Sequence, residues 1–456
     1  MRSKLDNQPR TWALGGPSIQ IDPLFPYYLG RTADSIAEEI ELAGYQTVHY
    51  FVVNENGVNA ELLEALHARG IAVWALVIGN GTFSTSHLPP EWQTWRMGLV
   101  KELNDGFVRF SPLSKDYVAW KKQAVAKLLQ DHPFDGIEIA EPYFPEWDGI
   151  RRGVYGDIGI HAQQAFREQY DLEIPDFHNK RSSNYYKKVP ETYTKWISFR
   201  VDAVNGLIDE IINGVNGARS VRPDIMVATW SLAVDGGAVS TLRLKEWQGL
   251  DAISMIERVK PDMHVLQTHW PDWMRRNLQS NYVRAYEGFA APIRSAFPGL
   301  PLAIQADIGS KASMVKNRSW LNEFQNTVYE LGYDSWTAYE YHLGSYMYEE
   351  SPEPLRAVLQ GETQLVISFN KRIDPEYIGS LLFYTSEVRG EIIHEIQIEE
   401  RLVDGNRIVL RLSNPPKVPF AVEVSGVKDT PDLWFIPGKK ANEIREGIRL
   451  MVVHET

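Results

Sequence analysis

Short, nearly continuous apolar runs recur eight times in the first 345 residues, and helical patterns fill the stretches between them. The runs are Ser18 to Asp22, Thr47 to Val53, Ile71 to Ile78, the strand inside Phe134–Phe144, Ile225 to Ser231, Met263 to Trp270, Leu302 to Asp307 and Ser335 to Tyr341. Strands buried on both faces read this way. Thr32 caps a helix with Ile36, Ile40 and Ala43 on one face and Gly44 as its stop, and Asn59 caps one with Leu62, Leu63 and Leu66 inward before Gly70. Further helices are predicted over Ser114–Gln130, over Glu191–Asn213 with Ile197, Val201, Val204, Ile208 and Ile211 in register, and around Leu244, Trp247 and Ile253. A last one, Glu353–Leu359, would close the ring. Eight strands alternating with helices predict an α/β chain, a (β/α)8 TIM barrel over residues 12–360.

Beyond Gly361 the period changes to two. Ile408, Leu410 and Leu412, or Ala421, Val422 and Val424, alternate with polar residues between turns such as Asp404-Gly405-Asn406. Residues 361–456 are therefore expected to form a small all-β, Ig-like sandwich that supports or localises the barrel without taking part in chemistry. Two barrel connections, Gly79–Pro112 and Pro142–Pro190, are too long to be mere links. They carry Trp92, Trp95, Tyr143, Trp147 and Tyr155, and are expected to wall a cleft at the C-terminal strand ends.

Composition removes several classes of partner. A net charge of −12 is the wrong sign for nucleic acid or an anionic membrane surface. No apolar stretch approaches the roughly 20 residues of a membrane-spanning helix. With no cysteine, thiolate chemistry and disulfides are excluded together. There is no His-Glu-x-x-His spacing, no Gly-rich phosphate loop and no Gly-x-Ser-x-Gly elbow, so neither metal nor cofactor is expected. Met1 to Arg10 is polar, which reads as a cytoplasmic protein, or a secreted or cell-surface one if a leader has been removed. The oligomeric state is not legible.

What remains is a basin of polar groups at strand ends that packing alone would make apolar. It comprises Asp22, His49 with Glu55, Glu138 with Glu141, Trp230, Gln267 with His269, Trp270 and Asp272, Gln305 with Asp307, and Glu340, flanked by Tyr143 and Tyr339. Carboxylates and amides bond hydroxyls while indole and phenol faces stack on sugar rings, so the ligand predicted is a carbohydrate. Each group has a plainer reading. Glu141 could cap a helix, Glu138 could bond a neighbour inside the barrel, Asp307 could serve a turn, and His269 could be a structural histidine.

The element order, with Phe134-Asp135-Gly136-Ile137 leading into the fourth strand, resembles the (β/α)8-barrel glycoside hydrolases. Ala140-Glu141-Pro142 resembles the Asn-Glu-Pro signature of their largest retaining clan, with Ala140 in place of the Asn that holds a sugar 2-hydroxyl. The resemblance implies that Glu141 is the acid/base and that a carboxylate ending strand seven is its partner. Asp307 holds that place, where the clan has Glu; Glu340 is the other candidate. The tail, from Gln364 to Lys371 and Asn406 to Leu410, resembles bacterial Ig-like modules appended to extracellular enzymes. Glycosidic hydrolysis by two carboxylates is the reaction implied. The rivals are a sugar-binding barrel without turnover, favoured by Ala140, and a sugar lyase or isomerase using His269 and a glutamate.

Overall fold

The computed structural model describes residues 13–455 apart from 308–313, 338–347, 388–389, 435 and 437. Eight parallel strands close into a barrel: β1 (Gly16–Ile21), β2 (Thr47–Val52), β3 (Ala72–Ile78), β4 (Gly136–Ala140), β5 (Met226–Ala233), β6 (Met263–Thr268), β7 (Leu302–Gln305) and β8 (Ser335–Thr337). Each pairs with its sequence neighbours and β8 closes on β1 through Gly16↔Ser335. The eighth predicted strand extended to Tyr341, but its end lies outside the described residues.

The helices follow the predicted caps. Thr32 Oγ1 accepts from Ser35 N at 3.2 Å to start α1 (Ala33–Leu42), and Asn59 Oδ1 accepts from Leu62 N at 3.1 Å to start α2 (Ala60–Ala68). Ser114 opens α3 (Lys115–Asp131) in the same way. After the second insertion, which carries α4 (Ile160–Tyr170), comes α5 (Pro190–Asn213). The predicted helix through Leu244 and Ile253 is two, α6 (Ser240–Gln248) and α7 (Ala252–Val259), because Gly249 turns the chain in the left-handed region at φ +66. Helices α8 (Glu287–Ala296) and α9 (Arg318–Glu330) complete the outer layer.

At the N-terminal end of the barrel a single device recurs. Asp135, Asp262 and Asp334 each precede a strand, and each accepts through its carboxylate from the N–H of a residue in the preceding strand. The distances are 2.7 Å to Val73, 2.8 Å to Val227 and 2.9 Å to Leu302. Their own N–H groups donate back to the carbonyls of those same residues. Each Asp thereby fixes the register of one strand pair. Gly136 follows because a Cβ there would collide with the Trp74 ring. The Asp-Gly of the fourth strand's lead-in is thus a packing and register element, far from any chemistry.

The barrel interior is a packed core of Trp74, Leu76, Met226, Trp230, Met263 and Val265. One polar knot lies inside it. Glu138 is fully buried, with Oε1 2.6 Å from His49 Nδ1 and Oε2 accepting from Trp230 Nε1 at 2.9 Å. His49 Nε2 reaches Ser18 Oγ at 2.9 Å.

The helix predicted over Glu353–Leu359 is instead a strand, β9 (Pro354–Gln360). Its residues suit either state, but Gly361 at φ +59 turns the chain back so that it pairs antiparallel with β10 (Gln364–Phe369). With β11 (Ile373–Glu387), β12 (Gly390–His394), β13 (Ile398–Asp404), β14 (Arg407–Leu412), β15 (Phe420–Asp429) and β16 (Ile448–His454) it forms an eight-stranded sheet. The order is β12-β11-β15-β16-β9-β10-β14-β13, antiparallel except for β9 beside β16. The sheet folds about one core that includes Leu359, Ile367, Phe383, Leu410, Val422 and Val452.

This second domain is joined to α1 and the β1–α1 loop by polar contacts. Glu38, 1% exposed, is held by Arg356 and Arg407. Asp404 accepts from Thr32 N at 2.8 Å, Asn406 Oδ1 accepts from Ser35 Oγ at 3.0 Å, and Trp434 stacks on Tyr27 at 4.1 Å.

Candidate active site

A cavity of about 530 Å³ opens at the C-terminal ends of the strands. Glu141, Tyr143, Gln267, His269, Trp270, Gln305 and Asp307 all line it, so β4, β6 and β7 converge on one space. The two insertions contribute much of the remaining wall, the first through Asn80, Phe83, Met97, Asp105, Phe107 and Arg109, the second through Pro145 and Glu146. Of the aromatic residues expected in these walls, Tyr143 reaches the cavity. Trp95 packs on Phe110 and Trp120, and Tyr155 is buried against Phe177 beneath the second insertion.

Glu141 is the first residue after β4, and its backbone lies in the left-handed region at φ +49. Outside glycine that conformation costs about 1–2 kcal/mol and concentrates at functional sites. Neighbours hold it there. Ala140 O accepts from Gly79 N at 2.7 Å, Asn80 Nδ2 donates to Tyr143 O at 2.6 Å, and Phe144 N donates to Gln248 O at 3.1 Å. Burial pushes the Glu141 carboxyl above the usual carboxylate range, and the charge of Arg109 pulls the other way. The Tyr143 phenol, raised well above its ordinary value by burial and by Glu141, stays neutral and lies 3.4 Å from Gln267 Oε1.

His269 is 6% exposed, and burial holds its imidazole down to about 3, so it is neutral at pH 7. Among the described residues its Nε2 and the Trp270 Nε1 have no hydrogen-bond partner. A neutral, buried imidazole cannot donate as an imidazolium, but it can bond a ligand hydroxyl.

The remaining predicted residues that the structure describes do not line this cavity; Glu55 pairs with Lys121 and Asp272 with Arg275 instead. His49, Glu138 and Trp230 bond one another inside the barrel. Asp22 ends β1 and accepts from Leu24 N at 2.9 Å, apart from the cavity wall. Tyr339 and Glu340 lie outside the described residues. The sequence reading missed Asn80, Phe83, Met97, Asp105, Phe107, Arg109, Glu146, Gln248 and Trp273. Most belong to irregular segments, and only the excess length of those segments hinted at them. Among the described residues no group of three or more His, Asp or Glu side chains could hold a metal ion.

Comparison with solved structures finds proteins of similar fold. In structure the chain is similar to a GH42 β-galactosidase from G. stearothermophilus, with a TM-score of 0.51 and 16% identity over 74% of this chain and 52% of that one. A β-galactosidase from Rahnella sp. R3 gives a TM-score of 0.49 and 15% identity over 72% and 51%. An endo-β-1,4-mannanase from Thermotoga petrophila gives 0.37 and 10% identity over 99% and 100%. The chain spans about half the length of the two β-galactosidases. At these identities the likeness is one of fold. No protein-family model matches the sequence, and no curated protein sequence matches it.

Proposed function

We propose that this protein is a glycoside hydrolase whose site is the cavity at the C-terminal end of the barrel. The observation that carries the reading is that two carboxylates from strands three apart in the ring, Glu141 after β4 and Asp307 after β7, line one cavity with amide and indole groups. Cleaving a glycosidic bond needs a protonated carboxyl to release the leaving oxygen and an ionised one to attack the anomeric carbon or activate water. Glu141, raised by burial, suits the acid. Asp307 is its partner. Phe83, Phe107, Trp270 and Trp273 offer apolar faces to sugar rings, while Gln267, Gln305 and His269 offer groups for hydroxyls. Carboxyl groups about 5–5.5 Å apart during reaction lead to retention of anomeric configuration, and about 6.5–9.5 Å to inversion.

The β domain from Pro354 onward is read as a support, since the described lining residues all come from the barrel. The test is a panel of aryl glycosides and oligosaccharides, assayed with and without chelator, against the wild type, Glu141→Gln and Asp307→Asn. Loss of the general acid should lower turnover by about 10²–10⁴-fold, with chelator of no effect. Near-normal turnover in Glu141→Gln would sink the assignment. Saturable sugar binding with no turnover in the wild type favours the binding-barrel reading that Ala140 suggests.

A further inference from the structure

The cavity wall holds Asp105 and Arg109, neither of which the two-carboxylate scheme uses. Arg109 is the one cation among the described residues lining the cavity. It lies at the end of a short ladder in which Gly81 and Thr82 pair with Arg109 and Val108, rooted where β3 ends. That root is stitched to the strand carrying Glu141. Gly79 N donates to Ala140 O, Phe110 N donates to Asn80 O at 2.7 Å, and the Asn80 side chain holds Tyr143 O. Gly81 leaves no room for a Cβ against the Phe107 ring, so Phe107 and the adjoining Arg109 are fixed in place. The guanidinium sits over Phe107 at 5.1 Å and is gripped bidentately by Asp105, at 3.0 and 2.7 Å. An arginine built so firmly into the wall that also holds Glu141 needs a reason.

We propose that Arg109, oriented by Asp105, is a positioning residue that sets the proton affinity of Glu141, so that the first insertion belongs to the catalytic apparatus. The inference rests on the hydrolase reading for its meaning in catalysis, but the coupling itself can be tested without turnover. Among the described residues, the other titratable groups lining the cavity do not take this role. Tyr143 and His269 are neutral, Glu146 is paired to Arg152 at 3.2 Å, and Asp307 carries the same sign as Glu141. Burial alone would leave Glu141 reluctant to give up its proton, while Arg109 stabilises the carboxylate that remains after the proton is given. The opposition of the two keeps the group able both to donate and to take back a proton, as a two-step displacement requires.

The experiment is a titration of Glu141 by carbon NMR on glutamate-labelled protein, its signal assigned by its absence in Glu141→Gln. Arg109→Gln should raise the midpoint by about one pH unit, Arg109→Lys should restore most of it, and Asp105→Asn should lower it. The opposite signs separate electrostatic coupling from a loosened fold, and Asp105, half out in solvent, is safe to replace. Midpoints that stay within a few tenths of a unit in Arg109→Gln and Asp105→Asn overturn the proposal. If Glu141→Gln retains turnover while the midpoints move as stated, the coupling stands and the hydrolase assignment falls. With a cleaved substrate, the alkaline limb of kcat/KM should move with the midpoint.

Discussion

Glu141 shows what a single residue can cost the molecule that carries it. Its left-handed backbone is a conformation in which glycine would be at ease. Glu141→Gly should therefore unfold at the same or a higher urea concentration, by up to about 1–2 kcal/mol, while losing turnover. A marked drop in stability would mean that the Glu141 side chain is a structural tie. His264 makes a second case. Burial holds its imidazole down to about 3, with Thr229 Oγ1 and Ser231 Oγ each 2.8 Å from its nitrogens. In the unfolded chain it takes a proton near 6.5. Below that pH the unfolded state binds a proton that the native state refuses, so stability is lost as pH falls from 6.5 towards 3. Each such histidine contributes about 1.4 kcal/mol per pH unit over that window, and His269 should add to it. Urea unfolding between pH 7 and 4 should have a shallower slope in His264→Asn than in the wild type.

At the scale of elements, the strands were legible because a strand buried on both faces is driven to be apolar, as Val73–Ile78 is. The helix starts were legible because Thr32, Asn59 and Ser114 answer a specific need of unpaired N–H groups. Alternation put Glu138 inside the barrel but could not say at what depth. The depth separates it from Glu141, three residues on, which reaches the cavity. Pro354–Gln360 was misread because its partners, β10 and β16, are invisible to a local pattern. Arg109 and Asp105 were missed since irregular chain has no period to read. The Asp at the head of β4 carries its own prediction. Asp135→Ala removes a charged acceptor from Val73 N and should cost about 1.5–3 kcal/mol, with turnover per folded molecule unchanged. A fall in kcat at full folding would put Asp135 within the chemistry.

The whole molecule is joined through α1, where one buried carboxylate faces two arginines of the second domain. Removing one of those cations leaves Glu38 short of charge in a dry interface. Arg407→Met should cost about 3–5 kcal/mol, and Glu38→Gln in the same chain should recover part of it. An unchanged melting temperature would mean that the contact adds nothing to docking. A chain ending before Pro354 would bare Phe25, Tyr27 and Tyr28, which Trp434 now covers, and should be less soluble than the intact protein.

The aspartate device at the foot of the barrel reaches further still. It links β3 with β4, β5 with β6 and β7 with β8, whereas among the described residues no such aspartate bridges β4–β5, where Met226 N donates to Asp135 O and Arg222 to Phe134 O, or β6–β7, where His264 N donates to Pro301 O. The ring is then a set of couples. Its weakest joints fall at alternate seams, and amides within a couple should exchange with deuterium together, ahead of or behind their neighbours as a unit. Two halves expressed separately should reassemble more readily when the cut falls in the 170–190 stretch, between couples, than when it falls between β5 and β6.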